Sequence, residues 1–146
     1  LTIKLSYGNK DYALKIKEAG QNQFGGHFLP LMDFMPLHEY NNYLYRCGVV
    51  IMNHYRQQAV GNVMTMLWMG AKVYLDERNT LYPYLIRIGV KVYSIQKDLK
   101  PTNPNALNVL SKTDRDCNRS ILLHEIGEEA LLKDLKQQFQ LILDEC

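Results

Sequence analysis

The sequence predicts an α/β fold with a Rossmann-like open parallel sheet, followed by an amphipathic helix at the C-terminal end. The first observation is that strand-like and helix-like segments alternate throughout residues 1–95. The second is the run Val49–Met52, whose uninterrupted apolar residues are typical of a parallel strand covered on both faces. Parallel strands joined by crossover helices are the simplest topology for this order. The 146 residues, of which 47% are hydrophobic, suffice for one ordinary buried core.

The first elements are predicted from alternation, capping residues and helical spacing. Residues 2–6 alternate apolar and polar and predict a strand, after which Asn9 caps a helix that ends at Gly20. Residues 28–34 predict a second strand, and Pro36 opens a helix because its missing N–H costs nothing at the first helical position. The apolar side chains of that helix are expected to form one buried stripe: Leu37, Tyr40, Leu44 and Cys47.

The later elements follow the same rules. After the strand at 49–52, the pattern predicts a helix over 63–69 ending at Gly70, a strand over 73–75, a helix capped by Asn79 and Thr80 and ending at Gly89, and a strand over 90–95. The polar, proline-containing stretch 96–120 is expected to be a linker or surface loop. Residues 121–146 are expected to form the amphipathic helix, with a solvated acidic face at Glu125, Glu128 and Glu129.

Composition excludes several classes of protein. The net charge of +2, without a concentrated basic face, argues against a nucleic-acid partner bound by bulk electrostatics. No apolar run approaches the roughly 20 residues that span a bilayer, and the N-terminal residues do not form a signal peptide. Three widely spaced cysteines, Cys47, Cys117 and Cys146, match no zinc or redox pattern and fit a reducing cytoplasm. The chain opens without Met, so it is expected to be a piece of a longer protein.

The polar loop at residues 53–62 is the first candidate site. In an open parallel sheet, ligands bind outside the carboxyl ends of the strands, and this loop follows the strand expected to be most buried. Arg56 and the N-terminus of the following helix suit a phosphate or diphosphate. Composition alone slightly favours a solvated loop without a ligand. No Walker or G-x-G-x-x-G pattern supports an ATP or nicotinamide enzyme.

No metal and no cofactor are expected from the remaining residues. His27, His38 and His124 have no spacing that converges on a metal, whereas His54 differs because it lies inside the polar loop. Trp68, beside the Gly70 that ends its helix, is expected to have a packing role.

Several stretches resemble the C-terminal, nucleotide-sugar-binding domain of GT-B glycosyltransferases. The first is residues 34–51, which have the pattern of a strand, a helix with F-x-P-x-x-E, and a second strand. The second is Gly61 with the helix that follows it. The third is residues 70–73, where Lys72 replaces the usual Pro. More specifically, residues 6–9, 34–36 and above all 53–62, N-H-x-R-Q-Q-A-x-G-N, resemble the bacterial 4-alpha-L-fucosyltransferase family, the TDP-4-acetamido-4,6-dideoxygalactose transferases. The resemblance covers residues 1–95, which would be the nucleotide-sugar-binding domain.

The resemblance implies a glycosyltransferase. That family transfers 4-acetamido-4,6-dideoxygalactose from its dTDP donor to a polyprenyl-diphosphate-linked saccharide in enterobacterial common antigen assembly. The reaction takes place at the cytoplasmic face of the bacterial inner membrane, which implies a cytoplasmic protein with peripheral membrane association. Capsule or O-antigen assembly would use the same kind of domain, so the sugar, the nucleobase and the acceptor stay open.

The resemblance also implies a set of donor-binding residues. The first cleft loop would be Tyr7, Gly8 and Asn9, the nucleobase would lie by Phe34 and Met35, and the diphosphate and sugar would be held in the loop by Asn53, His54, Arg56, Gln57, Gln58, Gly61 and Asn62. Arg56 would stabilise the leaving diphosphate without a metal. Retaining GT-B enzymes often carry two Glu residues eight apart, but Gln57 and Thr65 stand there, so the stereochemical outcome stays open.

The expected partners follow from the same comparison. The general base would be His54 or a group on an N-terminal half, which would also bind the lipid-linked saccharide acceptor, so this chain is expected to be inactive alone. The apolar stripe of the terminal helix would be partly exposed or used in contacts of a homodimer. The alternative is a non-catalytic α/β domain that binds a nucleotide or another protein, with the terminal helix as its docking face.

Overall fold

The computed structural model describes residues 1–6, 8–56 and 59–144. Strands and helices alternate as predicted, and every strand pairing is parallel. The strands are β1 (Thr2–Lys4), β2 (Leu29–Leu31), β3 (Val49–Met52), β4 (Lys72–Leu75) and β5 (Tyr93–Ser94). The helices are α1 (Lys10–Phe24), a 3-10 turn (Gly25–His27), α2 (Leu37–Tyr45), α3 (Val60–Met69), α4 (Leu81–Arg87), α5 (Lys112–Ile126) and α6 (Glu128–Asp144). An α/β protein with small parallel sheets is compatible with the predicted Rossmann-like class.

The chain divides into two compact units, and the first comprises Leu1–Asn42. Its strands β1 and β2 form a two-stranded parallel sheet, with α1 as the crossover between them. Asn9 caps α1 as predicted, since its side-chain oxygen accepts a hydrogen bond from the Tyr12 N–H at 2.9 Å. Gly20 does not end the helix, so that prediction is wrong. It lies inside α1 against the Phe28 ring, where a larger residue would collide with that ring.

The second unit begins at Tyr43 and contains a three-stranded parallel sheet in the order β3-β4-β5. All four residues of the central strand β4 are buried. Gly70 ends α3 as predicted, in the left-handed conformation with φ 92°, and its N–H donates to the Leu67 carbonyl at 3.1 Å. The main apolar core lies here and consists of Val63, Met66, Leu67, Ala71, Val73, Leu75, Leu81, Leu85, Val90, Val92 and Leu122.

Three predictions about the sheet and its cover are wrong. The five strands form two sheets rather than one. The strand β3 is an edge strand of its sheet, so Ile51 is exposed and the strand is not covered on both faces. The residues predicted along α2 do not form one buried stripe, because Leu37 is 73% exposed and only Leu44 and Cys47, both half-buried, pack against the core. Burial in this fold therefore depends on having neighbours on both sides, which apolar composition does not reveal.

The C-terminal region also differs from its prediction. The stretch 96–120 is irregular only at first, because Ser111 caps a helix, α5, whose Asp114 N–H donates to the Ser111 hydroxyl at 3.1 Å. A break at Gly127 divides the expected terminal helix into α5 and α6. The predicted acidic face is solvent-exposed at Glu125, Glu128 and Glu129. Within the described ranges, no helix combines the length and the apolar character needed to cross a bilayer.

Candidate functional site at the carboxyl edge of the second sheet

The loops that follow β3, β4 and β5 leave the same edge of the three-stranded sheet, because the strands are parallel. They begin at Asn53, Asp76 and Ile95. Ligands of open parallel sheets bind at this edge, where loops lead into helix N-termini. Hydrogen bonds, ion pairs and ring contacts link these loops to one another, so the edge is a connected polar surface.

Asn79 joins the loop after β4 to the loop after β3. Its amide nitrogen donates to the backbone carbonyls of His54 and Arg56, both at 3.0 Å. Its amide oxygen accepts from the Leu81 N–H at 2.9 Å at the start of α4, as predicted, whereas the Thr80 side chain makes no capping hydrogen bond. The residue is completely buried, and its side chain therefore fixes two carbonyls of the predicted phosphate loop at a site from which water is excluded.

Asp76 and Arg78 form the strongest ion pair at this edge. The guanidinium Nε donates to Asp76 Oδ1 and Nη2 donates to Oδ2, each at 2.9 Å. The same carboxylate accepts from the Arg78 backbone N–H at 2.9 Å and from the Gln96 amide at 2.6 Å. These hydrogen bonds, first of all those from the Arg78 side chain, hold the pKa of Asp76 well below its ordinary value. Asp76 is therefore a buried, fully charged anchor.

Tyr55, from the loop after β3, packs on the Arg78 guanidinium. The Cζ atom of Arg78 lies 3.8 Å from the centre of the Tyr55 ring, which is cation–π distance. Asp76 and Tyr55 together raise the pKa of Arg78 further above its ordinary value, Asp76 having the larger effect. This contact is a second link between the two loops, beside that of Asn79.

The loop after β5 completes the polar edge. Lys97 pairs with Glu77 at 2.8 Å, and the Glu77 N–H donates to the Gln96 side chain at 3.2 Å. Ser94, which is buried, accepts from the Lys97 N–H at 3.0 Å through its hydroxyl. Lys97 is thus already paired with an acidic residue of the loop after β4.

The predicted phosphate loop leads into α3 in a distinctive backbone conformation. Ala59 lies in the left-handed region with φ 53° and has no side-chain oxygen with which to cap the helix. Because α3 begins at Val60, Gly61 and Asn62 lie in its first turn, where backbone N–H groups have no intrahelical partner. Arg56 and Asn53 are exposed, and His54 is half-buried. Gln57 and Gln58 lie outside the described residues.

The remaining predicted residues belong to the first compact unit. Gly8 has φ 94°, a conformation that favours glycine, and Asn9 is engaged as the cap of α1. Phe34 is exposed and Met35 is half-buried. Tyr7 lies outside the described residues.

Sequence reasoning missed Asp76, Arg78 and Gln96, and it assigned Asn79 only the role of a helix cap. A usable signal was present, because the apolar run 73–75 is followed directly by Asp76, Glu77, Arg78 and Asn79. The rule applied to residues 53–62 would have selected this second loop as well. The apolar run of β3 predicts that β3 is the most buried strand, whereas β4 is the strand that is buried throughout, and its loop therefore has the stronger claim.

Other candidate sites are weaker. An apolar groove of about 330 Å³ lies beside α3 and α5, lined by Met64, Trp68, Leu122 and Ile126 among others. Trp68 lines this groove and is 47% exposed. In residues 1–6, 8–56 and 59–144, no three His, Cys, Asp or Glu side chains are grouped as metal ligands would be.

Comparisons of the chain with protein-family models, with curated proteins and with solved structures found no match. The carboxyl edge of the second sheet is the feature of the molecule that points to a ligand. That edge offers charged and amide donors on two hydrogen-bonded loops, followed by a helix N-terminus. Chemically, such an arrangement is suited to holding an anion with several oxygens.

Proposed function

We propose that this chain is the donor-binding α/β domain of a GT-B glycosyltransferase similar to the 4-alpha-L-fucosyltransferase family. Its donor would be a dTDP-linked 4-acetamido-4,6-dideoxy or fucose-like hexose. The acceptor would be a polyprenyl-linked saccharide of a bacterial surface polysaccharide. The enzyme would work on the cytoplasmic side of the inner membrane.

The observation that carries the proposal is the clamp formed by Asn79. Its amide holds the carbonyls of His54 and Arg56 at 3.0 Å, so the backbone of residues 54–56, within the loop with the most specific resemblance, is held in place. A fixed loop lowers the entropy that is lost when a flexible, multiply charged ligand binds. The exposed Arg56 side chain then supplies a charge at the edge where ligands of parallel sheets bind.

The chemistry of the transfer defines what these residues would do. The acceptor hydroxyl oxygen forms a bond to the anomeric carbon of the sugar as the bond between that carbon and the diphosphate oxygen breaks. The diphosphate leaves with the electron pair, and the hydroxyl proton passes to a general base, either His54 or a group outside this chain. Arg56 and the first turn of α3 would stabilise the negative charge that grows on the leaving group.

Titration calorimetry with dTDP and with UDP tests the donor site. The folded chain is expected to bind at least one of them, and Arg56→Ala is expected to weaken that binding by about 1.5–3 kcal/mol, the value of a charge-assisted hydrogen bond. The matched control is Arg87→Ala, which removes an arginine from the last turn of α4, and it should leave the affinity unchanged.

Two outcomes would contradict the proposal in different ways. If a folded sample gives no heat with either nucleotide, the chain has no donor site. If it binds but Arg56→Ala has the affinity of the unmodified chain, a site exists and Arg56 is not part of it. The nucleotide would then be bound by residues other than Arg56.

A second function, docking of another protein, is favoured by a separate observation on α6. This helix has no buried residue, and its apolar side chains are exposed at Leu131, Leu132, Leu135, Phe139, Leu141, Ile142 and Leu143. Such a face is typical of a surface that is covered in an assembly. Sedimentation at high protein concentration tests self-association, and a monomer throughout would exclude a homodimer through this face.

A further inference from the structure

The guanidinium of Arg78 is fixed along one edge and one face. An arginine has two edges that can each donate a pair of parallel hydrogen bonds, one formed by Nε and Nη2 and the other by Nη1 and Nη2. In Arg78, Asp76 occupies the Nε–Nη2 edge, and the Tyr55 ring lies against one face. The side chain is nevertheless 62% exposed, and its hydrogen bonds to Asp76 do not use Nη1.

The carboxylate of Asp76, which anchors this arginine, is buried and hydrogen-bonded by several donors. Asp76 has no exposed surface, and its carboxylate accepts hydrogen bonds from Arg78 Nε, Nη2 and N and from Gln96. A buried carboxylate loses its hydration, and charge-assisted donors are what compensate for that loss. Because Asp76 cannot move toward water, the orientation of the guanidinium is set before any ligand arrives.

The surroundings of Arg78 favour an anion as its ligand. The neighbouring carboxylate of Glu77 is paired with Lys97 at 2.8 Å, so its charge is balanced locally. The loop that carries Arg56 is hydrogen-bonded to Asn79, the residue after Arg78, at 3.0 Å. Two arginines therefore stand on adjoining loops at one edge of the sheet.

We propose that Arg78 is a second anion-binding residue, which uses its Nη1–Nη2 edge to hold the diphosphate of the nucleotide donor. A planar pair of N–H groups matches two oxygens of a phosphate in a way that a lysine ammonium cannot. Tyr55 and Asp76 are positioning residues, since they orient Arg78 and do not touch the ligand. This inference rests on the proposed function, because the ligand is the same diphosphate.

Calorimetry on the full chain with dTDP and with inorganic pyrophosphate tests the inference. Arg78→Lys keeps a positive charge beside Asp76 but has no second edge, and it is expected to bind both probes at least about tenfold more weakly. The matched control is Lys91→Met. Lys91 also pairs with an aspartate, Asp114, at 2.8 Å, so this change removes a comparable ion pair away from the carboxyl edge and should leave both affinities unchanged.

Asp76→Asn distinguishes an oriented arginine from a general electrostatic effect. The substitution removes a negative charge, so charge alone would tighten the binding of an anion. If Asp76 instead orients Arg78, binding becomes weaker although the site is more positive. Tighter or unchanged binding by folded Asp76→Asn would overturn the positioning role of Asp76.

Failure of this inference is separable from failure of the proposed function. If the unmodified chain binds neither probe, the donor site itself is refuted and Arg78 loses its ligand with it. If the chain binds, Arg56→Ala weakens binding and Arg78→Lys does not, only the inference about Arg78 is overturned. Should Arg78→Lys not fold, Asp76→Asn combined with Arg78→Gln leaves no buried unpaired charge, and wild-type affinity in that variant would overturn the inference equally.

Discussion

The two compact units bury their side chains to very different extents. Among the described residues of the first unit, only Ala13, Gly20 and Phe28 are fully buried. The second unit contains the main apolar core and a central strand, Lys72–Leu75, that is buried throughout. A strand with a neighbour on each side is covered on both edges, whereas each strand of a two-stranded sheet has one open edge. Both units have parallel strand pairs, but the main apolar core lies in the second, so parallel pairing alone does not produce a core.

The largest expected effect is a core truncation in the second unit. Leu85→Ala removes a side chain with no exposed surface and should lower the free energy of unfolding by about 2–5 kcal/mol. The matched change in the first unit is Leu14→Ala, where the side chain is 54% exposed and the loss should stay within about 0.5 kcal/mol. Urea unfolding followed by circular dichroism measures both, and equal losses would remove the contrast between the units.

Lowering the pH should destabilise the second unit through two of its carboxylates, Asp76 and Asp114. The pKa of Asp76 is lowered mainly by Arg78, and that of Asp114 is lowered mainly by Lys91. The folded pKa of each group is below the unfolded value of about 3.9, so the stabilisation is complete at neutral pH. It is lost as the pH falls through about 4 toward the folded values.

Trp68, the single tryptophan of the chain, lies on α3 and reports on the second unit. Urea midpoints read from its fluorescence at pH 7, 5, 4 and 3 are expected to fall with pH. Asp76→Asn should start from a lower midpoint at pH 7 and show a shallower decline. A midpoint that does not change between pH 5 and pH 3 would show that these carboxylates do not contribute to stability.

The smallest expected effect is the loss of a helix cap in each unit. Asn9→Ala removes the oxygen that accepts from the Tyr12 N–H, and Ser111→Ala removes the equivalent acceptor for Asp114. Each should cost about 1 kcal/mol. Amide hydrogen exchange can assign each loss, since Asn9→Ala should accelerate exchange in α1 and Ser111→Ala in α5. Equal acceleration in both helices from either variant would show that the two units unfold together.

Residues that act on their immediate neighbours could be predicted from the sequence. Asn9 caps α1, Gly70 ends α3 and Asn79 caps α4, because each interaction involves residues only a few positions apart. The prediction that Gly20 ends α1 is wrong because a glycine in the sequence can mark either a helix end or a close contact, here with the ring of Phe28 eight residues later. The same limit applies to Asn79, whose bonds to His54 and Arg56 span more than twenty residues.

The sequence predicts, from local spacing and composition, the order of strands and helices over residues 1–95 and the polar loop at residues 53–62. It also supplied the resemblance on which the proposed function draws. The tertiary structure is needed to show that the strands form two sheets, that β4 rather than β3 is the buried strand, and that Arg78 and Asn79 contact the loop of Arg56. The physical reason is that neighbours across a sheet are set by hydrogen bonding between distant segments, and burial follows from those neighbours.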